Sequence, residues 1–295
     1  MSTTIECELK VEAKKYKTYY DELGLIYKEY SENLKSAGLS ELSSEYAREI
    51  KREKAISFMG PLNGKSVLDL GCGQGTLISE MAGEFKVGIG VDISRNIFPK
   101  TKQGIELVQA DICFLPFVDA YFDIIITMEL IEHLEPHRAK RMLEEIRRLL
   151  KQDGTLILTT PRPRSGFITP LIAPFFTAVD FVYCLLNPRA KEYWLSFLKR
   201  YKATSQRYGL REHVRVYKQR ELASLVTEVG FVVYTWSGST ISPYLSPPFG
   251  IFLRANEFAP RFFRFWKKLS DILTRHFPER SYWDNMIVCG MVRKP

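Results

Sequence analysis

VLDLGCGQGT, the sequence of residues 67–76, joins four residues typical of a buried strand to a turn that contains three glycines. Glycine lacks a Cβ atom, so the backbone can turn sharply there and approach a ligand closely. Thr76 begins a segment with a helical pattern, and the free N–H groups of that helix would face the turn. The stretch therefore predicts a strand, a ligand-binding turn and a helix, although such a turn also occurs where a strand and a helix simply pack closely.

Acidic residues follow the next three predicted strands. These strands and acids are 86–91 with Asp92, 105–110 with Asp111, and 122–128 with Glu129. Asp92 comes about 20 residues after the glycines, where doubly wound nucleotide-binding folds place an acid for the ribose hydroxyls. A fifth strand is predicted over residues 154–160, after an Asp-Gly turn at 153–154. Because ligands of open α/β sheets bind at the carboxyl edge, we expect the acids to mark the binding site.

Five segments carry a resemblance to a known family: VLDLGCGQGTL, GVDIS, ADICFLPF, FDIIITMELIEHL and LLKQDGTLILTTP, in that order. They resemble the successive motifs of class I S-adenosylmethionine-dependent methyltransferases, most closely the group that methylates small molecules. The resemblance covers roughly residues 62–162, resumes at 211–236 and closes at 284–293. A nicotinamide dehydrogenase, the rival interpretation, would prefer G-x-G-x-x-G in the first turn.

The resemblance implies an α/β fold with a doubly wound, seven-stranded mixed sheet, the Rossmann-like methyltransferase fold, in which the last strand (286–292) is antiparallel. The expected parts are an N-terminal helical cap over 1–60, a core formed by 61–161, 211–236 and 285–295, and two apolar lid insertions over 162–210 and 237–284. Both insertions would leave the sheet at its carboxyl edge, so we expect them to cover the substrate.

The resemblance also implies S-adenosylmethionine as cofactor and assigns residues to it. Asp92 would accept both ribose hydroxyls, a task that suits the two oxygens of a carboxylate. Asp111 would accept from the adenine amino group. An acid after a strand is also a common helix cap, which is the structural alternative for each. The complete predicted cofactor-binding set is Asp69, Gly71, Cys72, Gly73, Gln74, Asp92, Ile93, Asp111, Ile112, Met128 and Glu129.

The pentapeptide Glu129-Leu130-Ile131-Glu132-His133 predicts two carboxylates about one helical turn apart, with an imidazole beside the second. It is similar to a motif of the O-methyltransferases of quinone biosynthesis and of the small-RNA 2′-O-methyltransferases. In the second group a downstream histidine completes a divalent-metal site, and His213 is placed to do so here. Carboxylates and imidazoles together bind Mg²⁺, Mn²⁺ or Zn²⁺. The predicted metal ligands are Glu129, Glu132, His133 and His213.

The same motif also occurs in methyltransferases not known to bind metal, where it closes the pocket. In that case His133 is the first candidate for a general base and His213 the second. The predicted catalytic residues are therefore His133, Glu129 and His213.

Charge and composition bear on the partners and the compartment. The 295-residue chain has a net charge of +8, which favours anionic partners or simply maintains solubility. Its five cysteines are scattered and no apolar leader is evident, so we expect a cytoplasmic protein with free thiols. Residues 167–186 are apolar but interrupted by prolines, and residues 258–277 have the pattern of a basic amphipathic helix. These two segments predict an apolar lid over the substrate. The lid could also associate peripherally with an anionic membrane.

Three functional hypotheses follow. The leading one is methyl transfer to an oxygen or carbon atom of a small hydrophobic molecule, such as a lipid, a quinone precursor or a polyketide. The Asn-Pro-Pro-Tyr type of motif used for amide and adenine nitrogens is absent at 127–130, which read Thr-Met-Glu-Leu, so oxygen, carbon and amine acceptors remain. The alternatives are a metal-assisted RNA 2′-O-methyltransferase, disfavoured because no RNA-binding module is recognisable, and a non-catalytic protein that binds the cofactor.

Overall fold

The computed structural model describes residues 2–36, 52–53, 55–99, 104–161, 188–210, 213–237 and 289–293, with single residues at 178, 182, 268 and 272. The strands are β1 (Ser66–Leu70), β2 (Val87–Asp92), β3 (Glu106–Gln109), β4 (Phe122–Met128), β5 (Leu150–Thr159), β6 (Val232–Ser237) and β7 (Cys289–Arg293). The helices are α1 (Ser2–Ser36), α2 (Thr76–Glu80), α3 (Pro136–Leu149), α4 (Pro188–Tyr208) and α5 (Gln219–Glu228), and 3₁₀ turns lie at Arg95–Ile97 and Ile131–His133.

The strands form one sheet in the order β3-β2-β1-β4-β5-β7-β6. The strands β1 to β5 are parallel, and Leu68 at the centre of β1 is in register with Ile89 of β2 and Ile125 of β4. The parallel sheet of five strands confirms the predicted doubly wound, Rossmann-like fold. Beyond it, β7 pairs antiparallel with both β5 and β6.

Helix α3 covers one face of the sheet because its apolar residues recur at helical spacing. Ala139, Met142, Leu143, Ile146 and Leu149 are all completely buried. Fully burying one such large apolar side chain stabilises the fold by roughly 1.5–3 kcal/mol. The opposite face holds a second core cluster, to which Leu77 and Ile78 of α2 belong. The central strands are therefore covered on both sides, as their continuous apolar sequences require.

Strand β5 begins earlier than the sequence predicts. The Asp-Gly pair was expected to form a turn before the strand, but Leu150 already pairs with Phe122 of β4. Asp153 has a left-handed φ of 62°, and the pairing register shifts beside it. The predicted turn is thus an irregularity inside the strand, a short kink that bends the chain without ending the pairing.

The long helix α1 packs antiparallel to α4, the described end of the first predicted insertion. Tyr19 Oη lies 3.2 Å from Ser205 Oγ, and the Tyr208 hydroxyl donates to Glu22 at 2.6 Å. One end of the interface is closed by Phe197, whose ring centroid lies 4.6 Å from that of Tyr30. The remainder of both predicted insertions lies outside the described residues, apart from single positions. Among the described helices, none is long and apolar enough to cross a membrane.

Candidate active site

The glycine turn after β1 is fixed to the end of β2 by main-chain hydrogen bonds. The N–H groups of Gly71 and Cys72 both donate to the carbonyl of Val91, at 2.8 and 3.0 Å. Gly73 has a φ of +54°, and a Cβ atom on it would project into open space. The left-handed backbone, which glycine adopts without strain, therefore explains the residue here, and it leaves a cradle above the turn.

Asp92, at the end of β2, is held by two main-chain donors. Its Oδ2 accepts from the N–H of Gly73 at 3.0 Å, and its Oδ1 accepts from the N–H of Ser94 at 2.9 Å. Burial raises the pKa of Asp92, although these hydrogen bonds oppose the rise. Each carboxylate oxygen can accept more than one hydrogen bond, so the group keeps capacity for a ligand beside the turn.

Helix α1 closes over this end of the sheet. The hydroxyl of Ser94 donates to Oδ1 of Asp21 at 2.6 Å, which joins α1 to the residue that also holds Asp92. Three residues further along α1, Gly24 lies against the 3₁₀ turn after β2, where a Cβ atom would come within 2.5 Å of Ile97 Cγ2. The absence of a side chain at Gly24 thus permits the helix to approach the site this closely.

Asp69 is a buried carboxyl inside β1, only 3% exposed. Burial, with a smaller contribution from the charge of Asp92, raises its pKa from 3.8 to about 7. A carboxyl group in this state is poised to ionise when a cationic ligand arrives, because a nearby positive charge favours the carboxylate.

Asp111, after β3, forms an ion pair with Arg138 of α3. Its Oδ1 accepts from Arg138 Nη2 at 2.6 Å and from the N–H of Cys113 at 3.0 Å. Its Oδ2 is buried, with no hydrogen-bond partner among the residues that the structure describes. One face of the carboxylate is therefore fixed by the protein, and the other is available to a donor.

Glu129, after β4, adopts a left-handed backbone with φ 53°, which is uncommon for a residue with a side chain. Its N–H donates to the carbonyl of Thr159 at 3.0 Å, and its Oε1 accepts from the Thr159 hydroxyl at 3.3 Å. This turn ends β4 and directs the chain into the 3₁₀ turn Ile131–His133.

Glu132 is completely buried in that 3₁₀ turn and organises the segment around His213. Its Oε2 accepts from the hydroxyl of Thr160 at 3.0 Å. Its carbonyl accepts from the N–H groups of Val214 and Arg215, at 2.8 and 3.1 Å. These two bonds bring His213, more than 70 residues away in sequence, next to His133.

Three rings meet at this position. The centroids of His133 and His213 are 5.2 Å apart, and the ring of Tyr20 from α1 stands perpendicular to His133 at 6.4 Å. Burial raises the pKa of Tyr20, with further contributions that include the charges of Glu132 and Asp92. The Tyr20 hydroxyl is therefore protonated at neutral pH and available as a donor.

The predicted metal group needs one correction. Glu132, His133 and His213 each offer a ligand atom, and these atoms all lie within 4.8 Å of one another, but Glu129 is not part of that group. The sequence predicted a helical turn that would align both carboxylates. The left-handed Glu129 and the 3₁₀ turn instead direct them to different threonines, Thr159 and Thr160.

A family model described as "Methyltransferase domain" matches residues 40–235, about two thirds of the chain. The chain belongs to the class I S-adenosylmethionine-dependent methyltransferases. S-adenosylmethionine is the methyl donor from which this family takes its name.

Two relatives of this methyltransferase carry the name ubiquinone biosynthesis O-methyltransferase. The protein of Glaesserella parasuis is 34% identical over 112 residues, which cover 34% of this chain and 46% of that protein. The protein of Coxiella burnetii is 35% identical over 116 residues, which cover 37% of this chain and 49% of that protein. The chain thus spans about half the length of these relatives.

Two solved structures share the fold. A SAM-dependent methyltransferase from Archaeoglobus fulgidus aligns with a TM-score of 0.51 at 17% identity, covering 84% of this chain and 94% of its own. The [4+2]-cyclase SpnF aligns with a TM-score of 0.52 at 17% identity, covering 83% of this chain and 80% of its own. At this identity the likeness shows the fold alone.

The structure brings three of the predicted cofactor-binding residues together at one edge of the sheet. The open cradle above Gly73, the held carboxylate of Asp92 and the buried Oδ2 of Asp111 lie at successive strand ends along one sheet edge. The other predicted residues differ in exposure: Gln74 is exposed, Cys72, Ile93 and Met128 are half-buried, and Ile112 is buried.

Four residues that the structure places beside the predicted site residues were not predicted from the sequence. Ser94 and Asp21 hold the end of β2 against α1, Arg138 holds Asp111, and Tyr20 meets His133. For Ser94, its position two residues after Asp92 could have indicated a role in holding that carboxylate. The sequence gives no comparable indication for the other three residues.

Proposed function

We propose that this methyltransferase transfers the methyl group to an oxygen or carbon atom of a small hydrophobic molecule, with an oxygen acceptor as the first choice. The observation that carries the proposal is the aromatic cluster beside His133. Tyr16, Tyr19, Leu23 and Leu210 are buried there, and Tyr20, Ile93, Tyr201 and Tyr208 pack against them. Ile93 adjoins Asp92, so the cluster runs from the cofactor edge to the histidines.

Apolar and aromatic walls with a few polar groups are typical of small-molecule pockets. A groove for RNA would need exposed cations and stacking rings instead. The names of the two relatives favour an oxygen acceptor in a quinone precursor, and this supports the oxygen choice without identifying the substrate.

In the proposed reaction the residues of the chain orient the acceptor and remove its proton. When bound, S-adenosylmethionine would supply the methyl group from its sulfonium, and the leaving group would be a neutral thioether. His133 accepts the hydroxyl proton of the acceptor as the new oxygen–carbon bond forms, and Tyr20 donates a hydrogen bond to the acceptor. Holding the acceptor in line with the methyl group can supply up to about 7–11 kcal/mol of the lowering of the barrier.

A divalent cation is a second candidate feature of the same site, favoured by the grouping of Glu132, His133 and His213. One buried carboxylate and two imidazoles are a donor set that suits Mn²⁺ or Zn²⁺. Such an ion would lower the pKa of a bound hydroxyl, and the residues would then act as its ligands.

The experiment is methyl transfer from radiolabelled S-adenosylmethionine to a panel that contains an alkylated catechol, a polyprenylated phenol, a fatty acid and a short RNA. We expect labelling of a hydrophobic phenol or catechol, loss of at least about 100-fold in His133→Ala, and unchanged binding of S-adenosylhomocysteine in that variant. His137→Ala, an exposed histidine that pairs with Glu12, is the matched control. Labelling of RNA alone, or full activity in His133→Ala, would contradict the proposal.

A further inference from the structure

Arg138 is a buried cation, only 1% exposed, that contacts two parts of the chain far apart in sequence. Its Nη2 donates to Oδ1 of Asp111 at 2.6 Å. Its Nη1 donates to the carbonyl of Leu9 in α1 at 3.2 Å, and its guanidinium carbon lies 4.8 Å from the ring centre of Tyr16, also in α1.

The orientation of Asp111 depends on this arginine. The carboxylate is gripped at Oδ1 by Arg138 and by the N–H of Cys113, so its plane is fixed. The buried Oδ2 is the oxygen that remains for a ligand. A buried charge is tolerated only where partners compensate it, so removing the guanidinium would free the carboxylate to turn.

The α1 contacts of the same guanidinium are equally specific. Besides the Leu9 carbonyl and the Tyr16 face, Glu12 Oε2 lies 3.8 Å from Nη1. A main-chain carbonyl, a ring face and a carboxylate of one helix thus converge on a single side chain from α3. A cation over an aromatic face in a desolvated position is a favourable contact.

We infer that Arg138 is a positioning residue that couples the docking of α1 to recognition of the adenine amino group by Asp111. The inference rests on the proposed role of Asp111 as the acceptor of that amino group. Docked α1 fixes the guanidinium, the guanidinium fixes the carboxylate, and the carboxylate presents Oδ2 to the base.

The coupling acts in both directions, because a linkage between two binding events is reciprocal. Binding of an adenine base stabilises the docking of α1 on the core, and a change that loosens α1 lowers the affinity for the nucleotide. The N-terminal helix is therefore part of nucleotide recognition although its residues 9–16 do not supply the acceptor oxygen.

The first test measures the affinity of the full chain for S-adenosylhomocysteine and for its analogue with a 6-oxo group in place of the 6-amino group. The wild type is expected to prefer the amino compound by at least about tenfold, because an oxo group would face the carboxylate. Arg138→Lys should lose most of this preference, whereas Arg147→Lys, on the same helix but donating to the carbonyl of Val229, should keep it. Asp111→Asn should lose it as well.

The outcomes separate the two claims. A wild-type preference that survives in Asp111→Asn would overturn the role of Asp111 and the inference with it. A preference that is lost in Asp111→Asn but intact in Arg138→Lys would overturn the inference alone.

The second test changes residues of α1 instead of Arg138, so it can be used even if Arg138→Lys does not fold. Tyr16→Leu removes the ring from the guanidinium, and Tyr30→Leu removes a comparably buried ring that packs on Phe197 at the other end of the helix. Tyr16→Leu should lower the affinity for S-adenosylhomocysteine severalfold. In this variant the bound ligand should no longer slow hydrogen exchange in residues 5–16. Tyr30→Leu should retain both effects. Equal affinities and equal ligand-induced protection in the two variants would overturn the coupling.

Discussion

The N–H of Gly73 lies 3.0 Å from Oδ2 of Asp92, so the glycine turn after β1 and the acid after β2 form one hydrogen-bonded unit. The N–H of Ser94 holds the other oxygen of the carboxylate. The acid is thus pre-oriented before a ligand arrives, which reduces the entropy that binding must offset.

The first prediction concerns this unit. Asp92→Ala removes the carboxylate and leaves the Gly73 N–H without its acceptor, so we expect the affinity for S-adenosylmethionine to fall at least about 100-fold in calorimetry. Asp123→Ala is the matched control, because Asp123 also accepts a main-chain N–H, from Ser66, but at the amino end of the strands. Equal weakening by both variants would show general destabilisation, and equal binding by Asp92→Ala and the wild type would refute the assignment.

The second prediction concerns Asp69, whose pKa burial raises from 3.8 to about 7. Between these values Asp69 keeps its proton in the folded protein but loses it in the unfolded chain, so its contribution to the free energy of unfolding decreases as the pH rises from about 4 to 7 and then levels off. Asp69→Asn does not titrate. At pH 8 the ligand-free variant should therefore be more stable than the wild type, by at most about 4 kcal/mol.

Denaturant unfolding at several pH values checks this prediction. Asp123→Asn should behave in the opposite way, because hydrogen bonds from Lys151 and Ser66 outweigh burial and lower the pKa of Asp123. The ionised Asp123 of the wild type stabilises the fold at pH values above the pKa that this group has in the unfolded chain. This stabilisation is lost as the pH falls from there through the lower pKa of the folded protein. If the stability of the wild type and that of Asp69→Asn change by the same amount between pH 4 and 7, burial does not raise the pKa of Asp69.

The third prediction separates the two glutamates near the histidines. If a divalent ion binds, Mn²⁺ titrated into the ligand-free protein should be captured by the wild type and by Glu129→Gln, but not by Glu132→Gln. The reason is that Glu132, and not Glu129, offers an oxygen within 4.8 Å of the ligand atoms of His133 and His213. Magnetic resonance of free Mn²⁺ measures capture without reference to activity. Activity that is indifferent to EDTA, with no capture by the wild type, would exclude the ion and leave His133 as the base.

The sequence was sufficient for the elements whose pattern is local. The bounds of β4 were predicted to the residue, because its apolar run ends at an acid. The positions of Asp92 and Asp111 at one sheet edge followed from parallel strands, which bring their carboxyl ends together.

The rest depended on contacts between distant segments. Nothing near Glu129 in the sequence indicates a left-handed backbone, so the helical geometry assumed for its motif was wrong. The ion pair between Asp111 and Arg138 joins residues 27 positions apart, and its link to Leu9 spans 129. The resemblance implied an N-terminal cap, but periodicity identifies an amphipathic helix without the residues it docks against, so the contacts of α1 with Ser94 and Ile97 were not predicted.

The last prediction tests that docking at Gly24. In an isolated helix Gly24→Ala would stabilise by about 0.5–1 kcal/mol. Here the new Cβ would come within 2.5 Å of Ile97 Cγ2. The branched side chain of Ile97 cannot turn away freely, so overpacking should cost about 1–3 kcal/mol and lower the melting temperature. In an Ile97→Ala background, which removes Cγ2, the same substitution should become stabilising. A reversal of sign in this double-mutant cycle is specific to the contact. If Gly24→Ala has the same effect in both backgrounds, α1 does not dock against Ile97.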